Sequence, residues 1–266
     1  MNSMKEIEQI ICERTNKSDR ILRGIWGVDC FFNPSNNGRV FDYKFIVSQT
    51  KGQGCAYSTN LEYQRECFCS YIGKDVLEKN IDDFAMKVSL FDSVFGLISK
   101  PKNCVEKIMN APSDKKLKWR TSIVLEEAKK LLGNLNGKRI VNVGVVGDFI
   151  KSFAEKGALV VGTDFDESII GKQIFGNISI IHGSNTLNEI ANSDLAIVTG
   201  MTITTQTIDE IIDCCQKNNV KLIVFAETGA NIAGYYINRG VDVFLAEHFP
   251  FYIFNGVSVI DVCYPE

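Results

Sequence analysis

The sequence predicts an α/β protein, with a doubly wound parallel sheet over residues 113–266 behind a smaller α+β unit over residues 1–112. Three observations predict it. Ile140, Val141, Val143, Val145 and Val146 form a nearly continuous β-branched run, which suits a strand buried on both faces. Further apolar runs recur at 178–181, 195–199, 222–225, 241–245 and 257–262. Helical stretches separate most of them, as parallel crossovers require. The first hundred residues instead alternate helical spacing with paired β-rich runs.

The elements follow in order. Residues 4–14 carry Ile7, Ile10 and Ile11 at helical spacing, which predicts a short amphipathic helix. Residues 21–32 and 39–49 are β-rich and flank NPSNNG, whose turn formers make the pair a hairpin. The glycine-rich KGQGCAYS, residues 51–58, reads as a strand-to-helix connection. Ser58 and Thr59 are N-cap candidates for a helix running to about Tyr71. Residues 88–98 predict an apolar helix closed by Ser99, Lys100 and Pro101. An amphipathic helix over 119–132 then feeds the first strand of the large sheet through GNLNGK.

Composition bounds the function. The 266 residues are 45% hydrophobic and 23% charged, as in an ordinary globular protein. A net charge of −3 offers no global field for nucleic acid or an anionic membrane. No apolar run reaches the ~20 residues of a membrane span, and MNSMKEIEQI has no apolar secretory core, so the expectation is cytoplasmic. The nine cysteines are then expected to be reduced. Cys67, Cys69 and the pair Cys214, Cys215 lack C-x-x-C spacing, and only His182 and His248 accompany them. Buried structural thiols are expected there rather than a metal site. Association as a homodimer stays open.

The carboxyl ends of the parallel strands are where such sheets bind ligands, and that rule selects four places. After the first strand, Gly144 and Gly147 allow a tight turn and a close backbone approach, with Asp148 at the helix start. Asp164 ends the second strand twenty residues after Gly144, where an acid reads ribose hydroxyls. The glycines lack the dinucleotide spacing G-x-G-x-x-G, and a carboxylate at Asp148 would repel a pyrophosphate. A ligand with a ribose and a positive charge suits this set. VNVGVVGDF and GALVVGTDFDESII accordingly resemble the first two motifs of S-adenosylmethionine-dependent transferases.

The third place is TGMTITTQTIDEII, where Thr202 and Thr205 could orient a carboxylate or an acceptor and Thr207 with Glu210 forms a capping-box pattern. The fourth places Glu227, Thr228 and Asn231 just past a buried strand. Asp148 and Glu227 would face the cationic end of the ligand, with Glu227 also taking a proton from an attacking amine. Glu247 and His248 follow the next strand, where the histidine reads as a hydrogen-bonded partner rather than a catalyst.

IVNVGVVGDF, TGMTITTQTIDEII and TGANIAGYYINRGVDVF resemble, in the same order, motifs of the putative heavy-metal chelation family, and RGIWGVDCFF and GCAYS resemble its first domain. The resemblance implies an enolase N-terminal-like domain, a Rossmann-like domain and a pocket between them. Thr205 stands where that family tends to have Asn, and Ala226 and Glu227 stand where it tends to have Gly-Pro. Two functions follow as expectations. One is an enzyme of small-molecule biosynthesis using S-adenosylmethionine as cosubstrate. The other is a non-catalytic metal- or metallophore-binding protein.

Overall fold

The structure is a computed structural model that describes residues 3–33, 40–58, 65–78, 81–98, 100–174 and 178–266. Helix α1 (Ser3–Arg14) buries Ile7 and Ile11 completely, the face its spacing predicts. Strands β1 (Gly24–Phe32), β2 (Phe41–Gln49) and β3 (Gln53–Tyr57) make an antiparallel sheet in that order. The expected β1–β2 hairpin forms, but most of its turn sequence lies outside the described residues. So do Thr59 and the side chain of Cys67. Helix α2 (Arg65–Tyr71) leads to α3 (Phe84–Phe95), which starts on a side-chain cap: Asp83 accepts the Met86 N–H at 2.7 Å.

The glycines of KGQGCAYS serve packing, so this stretch is strand β3 and not a connection. A Cβ on Gly54 would overlap the Ser89 carbonyl oxygen of α3, and one on Gly52 the Ser93 carbonyl oxygen. Only glycine lets the strand lie this close to the helix.

Strand β4 (Cys104–Ala111) and helix α4 (Ser113–Leu132) come next. Then follow β5 (Arg139–Val143), α5 (Gly147–Ala154), β6 (Leu159–Asp164), β7 (Gln173–Ile174) and β8 (Ile178–His182). The chain continues through α6 (Thr186–Ala191), β9 (Leu195–Thr199), α7 (Met201–Thr204) and α8 (Ile208–Asn218). It ends with β10 (Lys221–Ala226), α9 (Ala233–Asn238), β11 (Val243–Glu247) and β12 (Gly256–Cys263). Among the described residues these strands form one nine-stranded sheet, β4-β12-β11-β10-β9-β5-β6-β8-β7. The strands from β11 to β8 are parallel, which is the expected doubly wound sheet. Strand order reverses between β5 and β9, which makes that point the topological switch.

Four local expectations change. Strand β12 runs antiparallel to β11, because the eight residues 248–255 between them are too few for a crossover. Strand β4, within residues 1–112, pairs with β12 and so extends the large sheet. Helix α4 begins at Ser113, six residues before its apolar periodicity, because Pro112 is suited to a helix start. Thr207 occupies the N-cap of α8 without capping it; its hydroxyl meets that of Thr205 at 3.0 Å instead.

The thiols also differ. Cys104 and Cys263 face each other in the β4–β12 register and form a disulfide, so not all nine cysteines are reduced. Their separation of 159 residues hides the pairing from local sequence. Cys69 is exposed rather than buried, whereas Cys215 is buried.

Two apolar layers cover the sheet. On one face Val141, Val198, Val224 and Phe244 join Ile211 and Ile212 of α8, Tyr236 of α9 and Phe91 and Val94 of α3. On the other, Ile140, Ile197, Ile223 and Leu245 meet Val124 of α4 and Phe149 and Phe153 of α5. The first layer continues through α1 and β2, so the small sheet is docked by shared core. Among the described residues no helix is long and apolar enough to cross a membrane.

Candidate functional site

A cavity of about 210 Å³ opens where the small sheet meets the carboxyl edge of the large one. Its lining includes Gly54 and Cys55 of β3, Asp92 of α3, and Glu227, Asn231 and His248 from the segments after β10 and β11. Two backbone N–H donors hold this junction: that of Tyr57 donates to the Thr228 side-chain Oγ1 at 2.9 Å and that of Gly229 to the Cys55 carbonyl at 3.0 Å.

Asp92 is the pivot. Its Oδ2 accepts the Cys55 N–H at 3.0 Å and its Oδ1 the Asn231 N–H at 2.8 Å. The Asn231 side chain adds bonds to the carbonyls of Gln53 (2.8 Å) and Asp92 (3.2 Å). Burial pushes the Asp92 carboxyl up to about 7, against the pull of those N–H donors. Burial likewise pushes the Cys55 thiol well up.

Beside the cavity, Arg120 of α4 lies between two carboxyl groups. Its Nη2 donates to Glu227 Oε1 at 2.7 Å. Its Nε stands 2.7 Å from Glu247 Oε2, close enough for an ion pair but without hydrogen-bond alignment. The other Glu247 oxygen accepts the Tyr252 N–H at 2.7 Å. The guanidinium stacks on Tyr252, 3.7 Å from the ring centre, and on Phe225 at 4.5 Å. Burial raises Glu227 above the usual carboxylate range and Glu247 to about 7, with Arg120 opposing both shifts. Two acids against one fixed cation leave the cluster able to hold a shared proton.

The other sequence-selected residues lie further along the same edge. Gly144 has φ +74°, and a Cβ there would overlap the Thr199 hydroxyl across the switch point. That Thr199 Oγ1 is buried and has no hydrogen-bond partner. Asp164 buttresses the glycine turn: Oδ2 accepts the Val145 N–H at 2.8 Å and Oδ1 the Asp166 N–H at 3.0 Å. Gly147 and Asp148 open α5. The Thr202 hydroxyl donates to the Thr199 carbonyl at 2.8 Å, and that of Thr205 to the Met201 carbonyl at 3.1 Å. Of the eight selected residues, Glu227 and Asn231 line the cavity together, and the other six do not. Among the described residues no group of three His, Cys, Asp or Glu is arranged to hold a metal ion.

Sequence reasoning missed Arg120, Asp92, Tyr252 and Asp261. Asp92 carried a usable signal, since it is a lone charge inside the apolar stretch VSLFDSVFG. Arg120 lies within the expected 119–132 helix, but its partners Glu227 and Glu247 are more than a hundred residues away and gave no local signal.

A family described as putative heavy-metal chelation matches residues 127–233. No curated protein matches the chain. A solved structure of that family from Desulfitobacterium hafniense DCB-2, of unknown function, covers 98% of both chains at TM-score 0.60 and 9% identity. Another from Pyrococcus horikoshii, also of unknown function, covers 97% of this chain and 99% of its own at TM-score 0.56 and 12% identity. The resemblance to the putative heavy-metal chelation family therefore stands in residues 127–233 by sequence and over nearly the whole chain by fold.

Proposed function

We propose that the protein binds S-adenosylmethionine along the carboxyl edge of the large sheet, as a cosubstrate in small-molecule biosynthesis. The observation that carries this reading is the acidic cavity at one end of a row that has the glycine turn at the other. Glu227 follows β10 and Gly144 follows β5, with β9 between them. Two strand spacings separate them, about 10 Å. A cavity of about 210 Å³ is smaller than the ~300 Å³ at which pockets for whole drug-sized ligands begin. It would take the cationic end of the ligand, and the nucleoside would lie over the switch point.

The residues fit such a ligand. The orphaned Thr199 Oγ1 lies beside the Gly144 turn, where a ligand hydroxyl could pair with it. Asp164 keeps lone pairs for ribose hydroxyls beyond those used by Val145 and Asp166. Glu227 and Asp92 line the cavity and would face the ligand's positive charge at low dielectric, while Asn231 forms part of its wall. Thr202 and Thr205 follow β9, between the two ends, while Gly147 and Asp148 open α5 beyond the glycine turn; all four would border the nucleoside. The bound sulfonium would supply an activated methyl or aminocarboxypropyl group for transfer, or for cyclisation with release of methylthioadenosine. The chain's own part is positioning and charge complementarity.

The alternative reading is a binder of a metal complex or metallophore, and the family match over residues 127–233 favours it. Without a metal-holding cluster among the described residues, the complex would arrive with its own ligands.

Calorimetry with S-adenosylmethionine tests the proposal. Asp164→Ala and Glu227→Gln are each expected to weaken binding about ten- to a hundredfold, the loss of one charge-assisted contact. Unchanged affinity in both variants, or no binding to the wild type, would overturn it.

A further inference from the structure

His248 lines the cavity and has no task in the reading above. Its backbone is fixed by donation to the Val259 carbonyl at 3.1 Å. Its Nε2 lies 2.8 Å from Oδ2 of Asp261 on β12, and Lys100 Nζ stands 3.1 Å from the same oxygen. The Asp261 side chain is only 6% exposed. Burial alone would raise its pKa, but His248 and Lys100 outweigh that and hold it below the ordinary carboxylate value.

An ionised carboxylate only accepts hydrogen bonds, so Asp261 selects the imidazole tautomer with the proton on Nε2. That leaves a bare lone pair on Nδ1, which has no protein partner among the described residues. The charged groups facing the ring are Asp261 from β12, Lys100 from the segment after α3, Asp92 from α3 and Glu227 from the segment after β10. Glu227 is tied to Arg120 at 2.7 Å, which leaves the imidazole as the free basic nitrogen among the described residues that line the cavity.

We propose that His248 is the proton acceptor of the cavity, acting on a small amine or alcohol bound beside Glu227, and that Asp261 is its positioning residue. The proposal rests on the reading above only for what enters the cavity. The proton passes from the ligand N–H or O–H to Nδ1, and the electron pair of the broken bond stays on the ligand nitrogen or oxygen as a nucleophile. The resulting imidazolium is balanced by Asp261, and its proton leaves through the exposed part of the ring, which is 26% accessible. This is the arrangement in which a buried acid orients a histidine base without itself taking the proton.

The chain has two histidines, so imidazole nitrogen NMR of the full chain resolves both, with His248→Gln as the assignment. At pH 8 the wild type is expected to carry its proton on Nε2 and a bare Nδ1. Asp261→Asn, whose amide can donate to Nε2, is expected to move the proton to Nδ1, and Asp261→Glu to restore it. Acylation of His248 by diethyl pyrocarbonate reads the same lone pair, and should slow at least about tenfold in Asp261→Asn. A wild-type imidazole protonated on Nδ1, or on both nitrogens at pH 8, overturns the proposal whether or not the variants fold. An equal acylation rate in Asp261→Asn also overturns it. The expected tautomer without S-adenosylmethionine affinity would refute the ligand and keep His248; affinity with the wrong tautomer would do the reverse.

Discussion

At Asp92 a buried acid accepts two backbone N–H groups from opposite sides of the junction. Its folded pKa, about 7, lies above the ordinary 3.8. The folded state therefore binds this proton more tightly than the unfolded state does. The associated stability is fully present below about pH 4 and lost as pH rises through about 7. Glu247, also raised to about 7, acts with the same sign. Asp92→Asn should thus flatten the decline of stability between pH 4.5 and 6.5 by up to roughly 1.4 kcal/mol per pH unit, leaving the Glu247 part. Urea unfolding across that range measures it, and parallel curves for wild type and variant would contradict the assignment. Arg120 shows the same principle from the other side, because one buried cation is what makes two neighbouring acids tolerable.

Among the elements, β3 and α3 bring the small sheet to the cavity. Their approach depends on Gly54, where a methyl group would meet the backbone of Ser89 and Ser93. Rigid backbone cannot yield as a side-chain tip can, so Gly54→Ala should cost at least about 2 kcal/mol by overpacking. Gly234→Ala in α9 is the control. Its nearest contact is Pro101 Cγ at 3.3 Å, and helix propensity favours Ala by about 1 kcal/mol. Chemical denaturation should separate the two variants clearly, and equal effects would remove the packing argument. The same pair of elements marks what the sequence could show. In sequence KGQGCAYS reads as a connection because its glycines look like turn residues, and only the neighbouring helix reveals Gly52 and Gly54 as contact points.

For the molecule as a whole, the legible parts were those coded locally. The β5–α5–β6 unit, its Gly144 turn, Asp164 and the strand-end Glu227 all follow from residues adjacent in sequence. The illegible parts join distant segments: Arg120 with Glu227 and Glu247, Asp92 with Asn231, His248 with Asp261, and Cys104 with Cys263. Each pairing depends on strand order, which periodicity does not specify. The result is a row of glycine, hydroxyl and acidic groups along one sheet edge, which the proposed S-adenosylmethionine would span. A crystal structure of the protein with S-adenosylmethionine tests that most directly. The expected structure has the ribose beside Asp164 and Gly144 and the sulfonium end in the cavity with Glu227 and Asn231. A ligand bound elsewhere, or a cavity that stays empty at saturating concentration, would contradict it.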